Sequence, residues 1–357
     1  MSDVDRSSEL ASNEGRNLHD LPATPATVHW GYFDPSLQPV LTVRSGDLVR
    51  IETLTHQAGD APDLLMDAGI ERVFAEVDDR GPGPHLLTGP IAVAGARPGD
   101  VLQVDILEAT PRLPFGSNVA GHWGLLYRDF AKERVTVYEL DLDAMLGRAR
   151  FAYDWTATPL CDQPGTIVAP DLAAREPALA GVTVGLRPHF GTMGVAPAAP
   201  GRHSSVPPGD HGGNVDNWRN GAGARMYYPV QVAGALLSVG DPHVSQGDGE
   251  VNGTAIESSL NGLLRLTLRR DLDIRVPVLE TAGELLVHGF GDTLDEAMLA
   301  ASRRTLDVLV SRYGLMRDDA YSFMSVAVDF TVTQVVDTRQ GVHGRIDKTC
   351  FPHFGHA

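Results

Sequence analysis

Residues 39–55 read PVLTVRSGDLVRIETLT. Apolar and polar positions alternate on both sides of Ser45-Gly46-Asp47, and β-branched residues fill both arms. In an extended chain, alternate residues share a face, so this pattern sets one face toward a core and the other toward solvent. Glycine supplies the positive φ of a tight turn, and aspartate bonds back to the turn's own backbone. The stretch predicts strand, turn, strand. Residues 85–111, HLLTGPIAVAGARPGDVLQVDILEATP, repeat that logic around Arg97-Pro98-Gly99-Asp100. The expectation is the same hairpin used twice.

Working outward, the texture stays β-rich. RMYYPVQVAGALLSVG (225–240) predicts two short strands around a glycine, and NGLLRLTLRRDLDIRVPVLE (261–280) predicts two alternating ones. Helical signals cluster late. Thr293 and Glu296 form a T-x-x-E capping box, and Gly314 suits a helix end. Between them Met298, Ala301, Leu306, Leu309 and Tyr313 fall near one face. A shorter helix is expected over Asp318–Met324, then a strand in SVAVDFTVTQVVD (325–337). Strands followed by late helices argue against an alternating βαβ order. The predicted fold is mainly β, a β-sandwich with an α+β C-terminal portion. The expected division is a flexible tail over 1–25, a β-rich sandwich domain over 26–200, and a second β-rich, α+β domain over 201–357. The polar composition of 1–25 underlies the first of these.

The chain of 357 residues carries a formal net charge of −17. Such acidity disfavours phosphate backbones and anionic membrane surfaces. No nucleic-acid or membrane partner is expected. Two cysteines, Cys161 and Cys350, make neither a disulfide framework nor a zinc-finger spacing. The N-terminus lacks the apolar run of a signal peptide, so a cytoplasmic protein is expected. Lys132 and Lys348 are the only lysines, which leaves lysine-dependent catalysis almost without candidates.

The chemistry concentrates in SVGDPHVSQGDGEVNGTAIE (238–257). On an extended strand Asp241 and His243 project together, and so do Asp248 and Glu250. Glycines 240, 247 and 249 let backbone approach a ligand closely. A histidine among carboxylates suits a divalent metal such as zinc. The same words, Gly-Asp-Pro and Asp-Gly-Glu, are also ordinary turns with solvated acids. No H-E-x-x-H or CxxC decides between the readings. Other glycine-flanked polar residues lie in GPGPHLLTGP (His85, Thr88), PHFGTMGVAP (His189) and GDHGGNVDNW (His211, Asn214, Asp216). Trp123, Phe190, Trp218 and Tyr227 could wall a pocket or simply fill the core.

Several of these stretches, in order, resemble the acetamidase/formamidase family of amide hydrolases. They are TVHWGYFDPSLQPVLTVRSGD, GPGPHLLTGPIAVAGARPGDVL, HFGTMGVAP, GGNVDNW, MYYPVQVAGALLSVGDPH, GDPHVSQGDGEVNGTAIE and AYSFMSVAVDFTVTQVVD, covering roughly 27–340. The resemblance implies hydrolysis of a short aliphatic amide to carboxylate and ammonia, a mostly-β fold, a homo-oligomer and an associated metal. Carried residue by residue, it singles out Asp216, Asp241, His243, Asp248 and Glu250, with His85 in the matching HLLTGP and Glu257 ending GTAIE. The working assignment has Asp216, Asp241 and His243 holding a divalent ion, expected to be zinc. Glu250 or Asp248 carries the proton, and His85 and Glu257 contact substrate. The chain departs at Asn252, where the motif often carries cysteine, so a thiol nucleophile is impossible there.

Two rival chemistries fit poorly. A nitrilase-type Glu-Lys-Cys set or a Ser-Ser-Lys set needs a lysine in context, and FAKERV and RIDKTC give none. A different class of function is a non-catalytic metal- or carbohydrate-binding β-sandwich, whose acidic glycine loops would hold calcium through oxygen alone. His243 among the carboxylates separates the two, because calcium prefers oxygen. A structural calcium elsewhere is compatible with both.

Overall fold

The computed structural model describes residues 17–130, 132–157, 160 and 163–353. Two large sheets dominate it. A nine-stranded sheet runs in the order Leu18–Leu21, Leu48–Thr53, Leu260–Arg269, Val101–Pro111, Arg225–Pro229, Val278–Glu280, Glu284–Gly291, Gln340–Asp347, Val328–Val332. An eleven-stranded sheet is centred on Leu237–Ser245, which is flanked by His189–Gly194 and Ile256–Glu257 and also pairs with Leu86–Val93. The sheets face one another across a shared core. Val49, Ile51, Val104, Leu264 and Leu266 from the first meet Ile91, Val93, Met193, Leu237 and Val239 from the second. Each such side chain contributes roughly 1.5–3 kcal/mol by leaving water. The mainly-β sandwich with late helices is what the alternation implied.

The two Gly-Asp turns form as read but do not close hairpins. Gly46 and Gly99 both take φ of 96°. Asp47 accepts a hydrogen bond from the Arg44 amide at 3.0 Å, and Asp100 from the Arg97 amide at 3.2 Å. The arms then part. Leu41–Val43 pairs in parallel with Ile91–Val93 in the eleven-stranded sheet. Leu48–Thr53 and Val101–Pro111 flank Leu260–Arg269 in the other sheet. Each turn is an arch from one layer of the sandwich to the next. Alternation and turn chemistry are local; the identity of a strand's partner is not.

Three further expectations change. Within 1–25, Leu18–Leu21 is a strand paired in parallel with Leu48–Ile51; residues 1–16 lie outside the described residues. The expected boundary at 200/201 does not divide the sheets, because Leu260–Arg269 sits between two strands from the N-terminal half. The long helix, Leu294–Tyr313, buries Ala297, Ala301, Thr305, Leu309 and Tyr313, whereas Met298 is 40% exposed. Small residues face the sheet because the sheet offers glycine there. A Cβ on Gly289 would stand 2.1 Å from the Ala301 amide nitrogen. Gly289→Ala is therefore expected to cost about 1–3 kcal/mol through overpacking, read as a lower melting temperature with activity per folded molecule retained. No helix among the described residues is long and apolar enough to cross a membrane.

Candidate active site

One cavity of about 430 Å³ is lined in part by Asp241 and Glu257, from adjoining interior strands of the eleven-stranded sheet. Its polar lining comes from five parts of the chain: His56 after the strand Leu48–Thr53, His85 before Leu86–Val93, Asp216, the run Asp241 to Glu257, and Asp337. Strand pairing aligns the central groups. His243 lies opposite both His189 and Glu257. Asp241 takes φ of 49° and leaves the regular ladder. Gly249 bonds to the segment after Val332: its amide donates to the Thr333 carbonyl at 2.7 Å and its carbonyl accepts from the Val335 amide at 3.2 Å. That bracket brings Glu250 beside Asp337.

The side chains form overlapping groups. Asp241 Oδ1 lies 3.6 Å from His85 Nε2 and 3.8 Å from His56 Nδ1. Asp241 Oδ2 lies 3.2 Å from His243 Nε2, and Glu257 Oε1 lies 3.1 Å from the same nitrogen. The ligating atoms of His56, His85 and Asp241 come within 4.8 Å of one another. So do those of Asp216, Asp241 and His243, of His243, Glu250 and Glu257, and of Asp216, Glu250 and Asp337. His85 Nδ1 is anchored at 2.9 Å from Ser205 Oγ. His189 stands behind His243, with Gln246 Oε1 2.9 Å from its Nε2.

Burial decides the protonation states. Loss of water, with the His85 ring beside it, pushes His56 down to about 3, and burial lowers His85 as well. Both rings are neutral, the form that ligates a metal. Burial opposes charge on His243 too, but Glu257 and Asp241 override it and hold that ring well above its ordinary value. Glu257 is raised to about 7 by burial, with His243 pulling the other way. Asp216, Glu250 and Asp337 are all pushed well up, by burial first and then by other carboxylates.

The sequence's candidates separate accordingly. Asp216, Asp241, Glu250, Glu257 and His85 line the cavity. His243 sits directly beneath it, between two carboxylates. Asp248 does not join them. Its Oδ1 accepts from Trp218 Nε1 at 2.9 Å and from Arg219 at 3.2 Å on the protein surface, because the backbone turns at Gly249 (φ 100°) and Glu250 (φ 46°) instead of continuing extended. Of the four aromatic candidates only Trp123 lines the cavity. Thr88 bonds to the Glu52 carbonyl, and His211 packs on Phe33. Sequence reasoning missed His56 and Asp337. Asp337 closes a stretch already noted for its family resemblance; His56, in LTHQAG, carries no local signal. Neither Lys nor Cys lines the cavity among the described residues: Lys348 is held by Glu280 and Lys132 by Asp154.

The residues present fit a bound cation. Among the described residues, Glu257 Oε2 and His56 Nδ1 are buried without a hydrogen-bond partner. Gly191 leaves a gap among three of the groups: a Cβ there would lie 2.5 Å from Asp216 Oδ1, 2.6 Å from Asp241 Oδ2 and 2.6 Å from His243 Cε1.

Fold and site thus define a two-sheet β-protein with a buried histidine–carboxylate centre. The acetamidase/formamidase family model matches residues 20–204 and 198–344, and the chain belongs to that family. The acetamidase of Mycolicibacterium smegmatis is 32% identical over 266 residues, 64% of this chain and 62% of that one. The formamidase of Methylophilus methylotrophus is 29% identical over 252 residues, 61% and 58% of the two chains. The match therefore spans less than two thirds of these curated relatives. The crystal structure of the acetamidase from Bacillus halodurans has a TM-score of 0.73 at 25% identity, covering 94% of this chain and 99% of that one.

Proposed function

We propose that this chain hydrolyses short aliphatic amides, of the formamide and acetamide kind, to carboxylate and ammonia. The observation that carries the reading is the convergence of His56, His85 and Asp241 on a small cavity, with Glu257 beside them. Relatives named acetamidase and formamidase support the substrate class. A divalent ion, expected to be zinc, would be held by His56, His85 and Asp241 and would supply Lewis acidity and a water of lowered pKa. The neighbouring set Asp216, Asp241 and His243, expected from the sequence, is equally compact and shares Asp241, so it is a second candidate seat for the ion.

The chain's own groups do the rest. Glu257 is the proton carrier. Its Oε1 is fixed by His243 and by the Ala255 amide at 3.1 Å, and Oε2 has no hydrogen-bond partner among the described residues. A carboxylate so placed takes a proton from water and delivers it to the leaving nitrogen. The buried Trp123 Nε1–H lacks a partner among the described residues and is available to a substrate oxygen. Walls of Pro82, Pro84, Pro164 and Val206 exclude water around a small acyl group. One methylene in such a pocket discriminates by about 1–3 kcal/mol, so acetamide and formamide rates are expected to differ.

The test is ammonia release from formamide, acetamide and propionamide by protein as purified, after chelation, and after Zn²⁺ is added back. Release that chelation abolishes and zinc restores is expected. Release indifferent to chelation would remove the ion from the reaction, and no release from any of the three would remove the substrate class. We infer in addition a cytoplasmic homo-oligomer; the exposed Leu125, Leu126 and Phe130 beyond Trp123 support a contact there.

A further inference from the structure

Asp60 has no part in the reaction just described, yet it stands beside the site. It ends the helical turn Ala58–Asp60, shortly after His56, and is 3% exposed. Ser117 Oγ donates to Asp60 Oδ2 at 2.7 Å, and the Tyr153 hydroxyl donates to the Asp60 carbonyl at 2.8 Å. Ser117 is in turn the register partner of Glu257. The other carboxylate oxygen, Oδ1, has no hydrogen-bond partner among the described residues. No basic side chain among them faces the group. Burial, with the Glu257 and Glu133 carboxylates adding to it, pushes Asp60 up to about 7 against the pull of the Ser117 hydroxyl. A carboxylate stripped of water needs hydrogen bonds or a counter-charge, and the Asp60 side chain has a single hydrogen bond.

Asp60 lines a small chamber of about 20 Å³. That is room for one water-sized molecule, since roughly 10–15 Å³ suffices for one. The chamber shares His56, Trp123 and Pro164 with the active-site cavity, so these three side chains stand between the two spaces. Val119 and Leu160 give it apolar walls. Backbone packs tightly beside it. The Val168 amide donates to the Gly59 carbonyl at 2.8 Å, and a Cβ on Gly59 would stand 1.9 Å from the Thr166 carbonyl oxygen.

We infer that this chamber binds an ammonium ion, the protonated leaving group of amide hydrolysis, with Asp60 as its counter-charge. Amide and water give carboxylate and ammonium with no proton left over, so each turnover supplies one such ion. Ammonium is water-sized, brings the positive charge that the protein does not place opposite Asp60, and donates an N–H to Oδ1. Water fits the same volume but brings no charge. Methylammonium brings the charge but also a methyl group that the chamber does not hold. The inference rests on the preceding reading for the source of the ammonium, not for the chamber.

The experiment reads ammonium first by binding and then by turnover. Isotope-labelled ammonium chloride is added to the zinc-loaded protein near neutral pH, and line broadening is followed by nuclear magnetic resonance. Ammonium has no lone pair for zinc, so the ion does not mask the result. Acetamide hydrolysis is then followed by acetate formed, in ammonium, methylammonium or sodium chloride at equal ionic strength. Ammonium is expected to bind and inhibit the native protein at least ~10-fold more tightly than the other two cations. Asp60→Asn is expected to keep its zinc and to weaken ammonium binding by ~10-fold or more, because one partner of a buried charge pair is gone. Methylammonium that binds as well as ammonium overturns the proposal, as does undiminished ammonium binding by Asp60→Asn or the absence of ammonium binding to the native protein. The native comparison of the cations decides even where the variant does not fold. Native protein that binds ammonium selectively but hydrolyses neither formamide nor acetamide would count against the amidase reading alone.

Discussion

Asp241→Asn is expected to lower amide hydrolysis by at least ~10³-fold in a protein that remains folded. Loss of a mere outer partner of a metal ligand costs about 10–100-fold, and Asp241 is more central than that. One oxygen faces His56 and His85, and the other faces His243. Asparagine keeps the shape but loses the charge, and its NH₂ directs protons at lone pairs that a cation needs. The backbone tolerates the change, because φ of 49° is a conformation that asparagine adopts readily. Some loss of stability is expected as well: burial opposes charge on Asp241, but His85 and His243 override it and hold its carboxyl well below the ordinary range, so asparagine leaves buried histidines without that partner. The readouts are kcat/KM for ammonia release, zinc content and melting temperature. Activity within tenfold of the native protein, with zinc retained, would sink the assignment of Asp241.

The reasons for expecting a large effect also show what could be read from sequence. GDPH places an acid and a histidine two residues apart, and both reach the centre even though Asp241, with φ of 49°, is not extended. The same two-residue argument fails for Asp248 and Glu250, because Gly249 and Glu250 adopt positive φ and turn one side chain out and the other in. Alternation alone does not report such a twist. His56 follows a strand of the opposite sheet and enters the site only because the arch at Gly46 carries its chain across the sandwich. No local pattern encodes that crossing. Asp337 is brought in by its bracket to Gly249 across almost ninety residues of chain. Strands, turns and helix caps were legible because they depend on neighbours in sequence. The sheet order, the arches and His56 among the three proposed ligands were not, because they depend on neighbours in space.

Gly191→Ala is expected to show the complementary result, with activity falling by roughly 10²-fold or more and the fold largely kept. Gly191 lies between the register pairs Phe190–Pro242 and Thr192–Gly240, opposite Asp241. Its missing side chain is what lets Asp216, Asp241 and His243 close on one another. A methyl group there meets all three at 2.5–2.6 Å, so they must move by about an ångström to reach ordinary contact. Displacement of catalytic groups by about 1 Å is enough for a ~10²-fold loss. The atoms that yield are side-chain ends facing a cavity, whereas at Gly289 the obstacle is helix backbone. The two glycine-to-alanine changes should therefore separate: Gly289→Ala lowers the melting temperature and spares turnover, and Gly191→Ala spares most of the stability and lowers zinc content with turnover. Paired melting curves, metal analysis and ammonia assays on the two variants check this. A Gly191→Ala protein that keeps its zinc and native turnover would show that the gap among the three side chains has no part in holding the ion.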